Sequence, residues 1–444
     1  MKIIIPFFPI LFSFIQLAAQ SKHPSVSLDL SIRYRFEKWD GMNAKNYGDD
    51  GEGAIGELDD SILFQRFIAG FFWRPSGNWV VSAHLQDSRA FGWSLRNSMH
   101  PGLFRVRQGG TGEPYYTMNP NEAFFEIHDA FIEYSKLFDR ITLTLGRQKI
   151  SYGDNRIFGP GEWGNTGRWT WDALRLSYVK DHHFIDLFAG GTKVHDPVTP
   201  SIPFTRTEYW GGGIYGHIDM PAIVHIEPFY VLKRQGSADY ISGLHIRRHW
   251  SGIRIFNNDF QSFVIDATMV RQFGKEEGKS IRAYGFFGKL GYRFDRLRCK
   301  PLISIRETYA SGNSVEDNII RQFEPAFGAN DRYYGRMNII RWSNIDNREV
   351  MLELSLAPGL RLELNYNWFY VPEPSGVVYL GTLKMQDGKN HLGDEVNMYI
   401  QYQPVKRWQL TGVFGYFMPG SVHDIGGDRA GNASWFAAQV LFTL

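Results

Sequence analysis

Few constellations in this chain have residue types and spacing that could do covalent chemistry. The stretch Gly274-Lys275-Glu276-Glu277-Gly278-Lys279-Ser280 is close to a phosphate-binding loop, but it has one residue too few between its glycines and no helix pattern follows. It reads as a β-turn. No G-x-S-x-G and no H-E-x-x-H occurs, and the 13 histidines are scattered. The acidic stretch Asp49-Asp50-Gly51-Glu52-Gly53, with Glu57, Asp59 and Asp60, offers oxygen ligands for calcium but lacks the alternating spacing of an EF-hand. A solvated acidic loop is the competing reading. Cys299 is the single cysteine, which excludes a disulfide framework and a zinc site built on Cys pairs. With 48 basic and 46 acidic residues the net charge is +2, so no nucleic-acid footprint is present. No cofactor is indicated.

Charged residues matter here through the elements that carry them. From Val26 to Glu37, the even positions Val26, Leu28, Leu30, Ile32, Tyr34 and Phe36 are apolar, and the odd ones are polar or charged. This period-2 alternation is that of a β-strand with unlike faces. The last strand repeats it, with Phe436, Ala438, Val440, Phe442 and Leu444 on one face. The pattern predicts eighteen strands, near 26–38, 62–74, 78–88, 125–136, 140–149, 169–180, 183–192, 208–218, 222–233, 240–256, 260–273, 281–295, 299–309, 348–357, 360–371, 392–404, 406–418 and 433–444. Short links such as Pro75-Ser76-Gly77, Asn257-Asn258-Asp259 and Pro358-Gly359 alternate with long ones. Met337 to Trp342 could add a strand and upset the even count.

Aromatic residues make up 16% of the chain, while its mean hydropathy is −0.30. An aromatic-rich yet hydrophilic chain of alternating strands fits a transmembrane antiparallel β-barrel with long outer loops and short periplasmic turns. A soluble sandwich or propeller would also alternate. Trp39, Trp73, Tyr134, Trp368, Phe369, Tyr370, Tyr402, Trp408, Tyr416 and Phe417 fall near strand ends, where an aromatic girdle belongs. Lys2, the apolar stretch Ile3 to Ile15 and Leu17-Ala18-Ala19-Gln20 form a signal peptide pattern over residues 1–19. Residues 20–444 are then expected to form one barrel domain.

If the apolar face meets lipid, the charged face lines a lumen. An arginine at the bilayer midplane costs about 2–4 kcal/mol on the lipid side. The inward face then carries Arg33, Arg35, Arg66, Arg175, Arg254, Lys289, Arg293, Arg306 and Arg361. Acids there are Asp29, Glu37, Asp129, Glu133, Asp186, Glu227, Asp266, Glu353, Glu363 and Glu395. Bases and acids are nearly balanced in number. Arg147 is an anomaly, because strict alternation places it with Ile141, Leu143 and Leu145, so a bulge or the strand's end must intervene. The loop 150–168, rich in glycine and carrying Asp154, Arg156, Trp163 and Asn165, could fold back as a constriction, or lie on the surface.

These last residues resemble a known pattern. Gly146-Arg147-Gln148, Tyr152-Gly153-Asp154, Arg156, Gly159, Trp163, Asn165, Gly167-Arg168 and Trp171-Asp172-Ala173 resemble the hallmark block of the alginate-export family of outer-membrane barrels. Gln65-Arg66, Leu85-Gln86-Asp87-Ser88-Arg89, Leu392-Gly393-Asp394-Glu395, Gly415-Tyr416 and Pro419-Gly420 are similar to it too. The Ala19-Gln20 junction resembles cleavage sites of Bacteroidetes. The resemblance implies a monomeric eighteen-stranded barrel in the outer membrane of a Gram-negative bacterium. It also implies a passive conduit, with an arginine-rich pore, for an anionic alginate-like polyuronate.

The expected function is therefore a channel for an anionic saccharide or another small polar solute, with membrane lipid around it and no enzymatic step. Arg66, Arg147, Arg168, Arg175, Arg254, Arg306 and Arg361 are the expected pore-lining residues. Asp154 and Asp172 are the expected counter-charges. The alternatives are a general non-selective porin, a plugged barrel scaffold, or a barrel enzyme with a Ser/His or Asp/His constellation at its outer rim.

Overall fold

The computed structural model describes residues 24–42, 59–92, 105–108, 114–116, 123–195, 200–220, 224–236, 238–239, 245–260, 262–314, 318–329, 333–375, 388–423 and 431–444. The expected signal segment and the calcium candidates Asp49, Asp50 and Glu52 lie outside these residues.

Eighteen antiparallel strands form one closed barrel. In chain order they are β1 (Ser25–Asp40), β2 (Asp60–Arg74), β3 (Trp79–Phe91), β4 (Ala123–Leu137), β5 (Ile141–Lys149) and β6 (Thr170–Lys180). Then come β7 (His183–Lys193), β8 (Thr207–Met220), β9 (Val224–Gln235), β10 (Ile246–Phe260), β11 (Phe263–Glu276) and β12 (Lys279–Arg293). The last six are β13 (Leu302–Ala310), β14 (Ile345–Ala357), β15 (Leu360–Tyr370), β16 (His391–Val405), β17 (Trp408–Pro419) and β18 (Ala433–Thr443). Each pairs with its chain neighbours, and β1 also pairs with β18, from Ser31 opposite Thr443 to Asp40 opposite Ser434. Closure leaves no unpaired edge, which a bilayer requires.

The faces are those the alternation predicts. In β1, Arg33, Arg35 and Glu37 are buried while Tyr34 and Phe36 are exposed. Around the wall Met269, Ile303, Ile305, Leu187 and Val440 are likewise exposed, as lipid contact demands. Of the expected girdle, Trp73, Tyr402 and Trp408 do face outward. Trp39, Phe369 and Phe417 do not. They point inward and are buried, Trp39 stacked on Trp435 at 5.1 Å.

Short turns close one end of the barrel. Gly359, with φ of 75°, makes the β14–β15 turn, a conformation that a Cβ would strain. At the opposite end, the phosphate-loop look-alike is the β11–β12 hairpin, with Glu277 at φ 48° and Gly278 at φ 78° in its two-residue turn. Both positive φ values suit the type I′ geometry favoured by strand twist. Strand β10 runs to Phe260 and β11 starts at Phe263, so the expected link Asn257-Asn258-Asp259 falls within the strand. Met337 to Trp342 is not a strand. It belongs to a long segment folded into the barrel.

Candidate functional site: a lumen narrowed by two interlocked loops

Two outer connections fold inward. Residues 150–169 join β5 to β6, and residues 311–344 join β13 to β14. Phe158, Phe323, Phe327, Tyr334 and Trp342 within them are wholly buried. The two segments pair with each other inside the wall. Gly159 N donates to Phe327 O at 2.9 Å, Phe327 N to Ile157 O at 3.0 Å, and Ala329 N to Asn155 O at 2.9 Å. Gly328 is required there, because a Cβ on it would stand 1.8 Å from the Arg156 carbonyl oxygen.

Residues 150–169 are held by the β1–β3 wall. Arg33 donates to Glu162 O at 2.8 Å, Gly164 O at 2.9 Å and Asn165 Oδ1 at 3.2 Å. Arg35 donates to Trp163 O and lies 4.4 Å from that residue's ring. Arg66, directly across from Arg33, reaches Glu162 O at 3.4 Å. Gln86 and Ser88 donate to Thr166 O and Asn165 O. Backbone carbonyls that would otherwise be orphaned inside the barrel are thereby satisfied. Glu162 also pairs with Lys149 at 2.9 Å. Lys149 chiefly, with help from Arg66 and Arg33 and against the effect of burial, brings the Glu162 carboxyl down to about 2.

Residues 311–344 are held by β9, β10, β13 and β16. Lys233 donates to Ala326 O at 3.0 Å and sits among the rings of Tyr209, Trp169 and Phe327 at 4.1, 4.8 and 5.0 Å. Such desolvated cation–π contacts are worth about 2 kcal/mol or more. Trp250 Nε1 donates to Glu324 O at 2.7 Å, and Trp342 Nε1 to Tyr309 O at 2.9 Å. Buried Glu395 accepts from Arg336 N at 2.6 Å and Met337 N at 3.1 Å.

At the junction, Arg156 pairs with Asp154 at 2.7 Å and lies over Phe287 at 3.6 Å and Tyr333 at 4.6 Å. Burial would raise the Asp154 carboxyl, but Arg156 and Arg254 outweigh it and hold it below its usual value. Burial likewise opposes charge on Arg156, and Asp154 and the nearby tyrosines more than restore it. Asp154 is thus a counter-charge, to the loop's own arginine.

The other candidates distribute as follows. Arg254 is gripped by Asp266 through two contacts of 2.8 Å and by Glu227 at 3.0 Å. Arg306 lies 3.5 Å from Glu349 and 3.3 Å from Glu353, and Glu353 also pairs with Lys289 at 3.0 Å. Arg175 faces the lumen from β6, opposite Thr144 and Phe188. Arg361 is on the inward face of β15, two residues from Glu363. Arg168 is at the outer end of β6, 3.4 Å from Glu208 and against the Trp169 ring.

Arg147 and Asp172 are not in the lumen. They stand opposite each other on β5 and β6, joined by contacts of 2.7 and 2.8 Å. Trp171, Ala173 and Arg175 take the inward positions of β6, so Asp172 shares the outward face with Leu174, and Arg147 shares it with Leu145. No bulge interrupts this pairing. The arginine stays outward because an acid neutralises it and residues 200–206 cover it.

One cluster escaped the sequence reading. Ser82 Oγ and Asp129 both approach His84 Nδ1, at 3.1 and 2.9 Å, and Asp29 is 3.5 Å from Nε2. A nucleophile relay needs hydroxyl and carboxylate on different ring nitrogens. Here the Ser82 hydroxyl donates to Asp129 Oδ1 at 2.5 Å and not to the ring, and His84 stands between Asp129 and Asp29 as an ion-paired histidine. Lys233 was also missed, because its cage is assembled from three distant segments. Among the described residues no group of three or more His, Cys, Asp or Glu could hold a metal ion.

Comparisons with known proteins agree with this architecture. A family model described as alginate export matches residues 25–437. No curated protein matches the chain. Among solved structures, Acinetobacter baumannii OccAB4 superposes with a TM-score of 0.56 at 11% identity, covering 96% of this chain and 99% of its own. Pseudomonas aeruginosa OpdK with vanillate gives 0.55 at 10% identity, covering 94% and 98%. The outer membrane protein OprD from Pseudomonas aeruginosa gives 0.56 at 13% identity, covering 94% and 93%. At these identities the likeness concerns the fold.

Proposed function

The chain belongs to the alginate-export family, and on that premise we propose that its lumen passes an anionic saccharide of the polyuronate type by diffusion, as a monomer and without a catalytic step. The coarser statement stands by itself: it is an outer-membrane channel of a Gram-negative bacterium, for small polar solutes. What supports the anionic reading is the β1–β2 wall. Arg33, Arg35 and Arg66 cluster there; of the acids on the same β1 face, Glu37 pairs with Arg35 and Asp29 lies 3.5 Å from His84, and basic walls lower the cost of an anion in a narrow pore.

A second reading, a weakly selective porin, is favoured by one observation. Arg254 and Arg306, on the far wall, each lie between two carboxylates, so their charge is spent within the wall. The reversal potential of the reconstituted protein under a salt gradient separates the two. Anion preference that falls in Arg66→Gln supports the polyuronate reading. A potential near zero, unmoved by that substitution, supports the weakly selective porin.

A further inference from the structure

The ion pair Arg147–Asp172 faces away from the lumen, yet both side chains are almost fully buried. What buries them is the connection between β7 and β8. Arg147 donates to Ser201 O and Oγ, and Phe204 N donates to Asp172 Oδ2 at 3.0 Å. The row of residues beneath this segment is Ala130, Arg147, Asp172 and Gly191, running across β4 to β7. Its two ends are small. A Cβ on Gly191 would stand 2.2 Å from the Thr207 side chain, where the segment rejoins the wall. The segment is therefore seated on the outer surface of the barrel, with the ion pair as its peg.

Its free side is apolar. Ile202 is 59% exposed and Phe204 52%. The outward wall positions next to the row that the segment covers, Leu145, Leu174 and Trp210, are exposed too. That continuity identifies the medium Ile202 and Phe204 meet, because Leu145 and Leu174 belong to the barrel's lipid-facing surface.

We propose that residues 200–206 form a strap embedded in the outer leaflet, with Ile202 and Phe204 among lipid acyl chains and the Arg147–Asp172 pair sealed beneath them. A charge pair on a lipid-facing wall is costly when bare. Pairing and hydrogen bonding to the strap remove that cost, and the apolar side chains give the strap its own favourable transfer into lipid. The assignment is independent of which solute the lumen carries.

The test places a spin label at Phe204→Cys in a Cys299→Ser background, in the full chain reconstituted into phospholipid vesicles. Collision with oxygen, which partitions into lipid, is compared with collision with a water-soluble nickel chelate. Labels at Leu174→Cys and Glu162→Cys serve as lipid and water references. The expected result is an oxygen-to-nickel ratio matching the Leu174 reference, and a shift toward nickel when Asp172→Ala removes the peg. A ratio matching the Glu162 reference overturns the proposal, because the strap then lies in water. Shielding from both reagents also overturns it, since another protein surface, such as a second copy of this chain, would then cover the patch. Ile202→Cys gives an independent reading where Phe204→Cys folds poorly.

Discussion

At the scale of single residues, the lumen is an electrostatic lattice in which most bases have an assigned acid or carbonyl. The same holds for the outward pair. Removing one member of a buried pair strands the other, at about 3–5 kcal/mol. Arg147→Ala is therefore expected to lower unfolding stability in micelles by that amount. An isosteric apolar double replacement, Arg147→Met with Asp172→Leu, should recover most of it. Equal losses in both variants would show that the strap needs the charges themselves. Glu162 makes a pH prediction. Its carboxyl is held at about 2, below an ordinary 4.5, first by Lys149. A depressed acid stabilises the fold fully above its unfolded value, and that contribution is lost as pH falls from about 4.5 through about 2. Residues 160–168 should then exchange amide hydrogens faster below about pH 4 relative to the strands, and Glu162→Gln should show no such acid step. The pair is half open to solvent, so high salt should weaken the step too.

At the scale of elements, the inward loops depend on each other. Phe327 is wholly buried, with its ring 4.5 Å from Trp171 and 5.3 Å from Trp169. Phe327→Ala should cost about 3–5 kcal/mol of local packing. Loosened loops are the expected consequence, read as larger and noisier single-channel currents at unchanged heat-modified mobility of the barrel. How far these elements were legible follows from their physics. All eighteen strands can be read from the chain because alternation is a local signal, repeated wherever a wall separates lipid from water. The inward course of residues 150–168 was one of two readings open to the sequence, since turn glycines serve a surface loop equally well. The girdle residues Trp39, Phe369 and Phe417 were misplaced because nearness to a strand end does not say which face a side chain takes. Arg147 shows the limit most clearly. Alternation put it outside correctly, but a bare arginine there is so costly that a bulge was the natural inference. The strap that removes the cost comes from more than fifty residues away in the chain, beyond any local pattern.

At the scale of the whole molecule, β1 and β10 lie on opposite sides of an eighteen-strand ring. The cluster Arg33, Arg35 and Arg66 thus faces the acid-bound Arg254 across the lumen. A solute between them meets a basic wall held to one loop and a charge-paired wall held to the other. Arg254→Ala would leave Glu227 and Asp266 without their shared partner, so the reversal potential should move toward cation preference by tens of millivolts, roughly the scale of 59 mV per tenfold ratio for a monovalent ion. An unchanged potential would mean that this wall lies off the ion path. The central claim is that the barrel is a conduit and that the interlocked loops set its narrowest point. Single-channel conductance in planar bilayers, measured for the native protein and for Gly328→Val, tests it most directly. A side chain at 328 must displace the Arg156 carbonyl and so part the loops. Small discrete openings in the native protein and clearly larger ones in the variant are the expected result. Conductance absent from both proteins would contradict the account and leave a closed scaffold in its place.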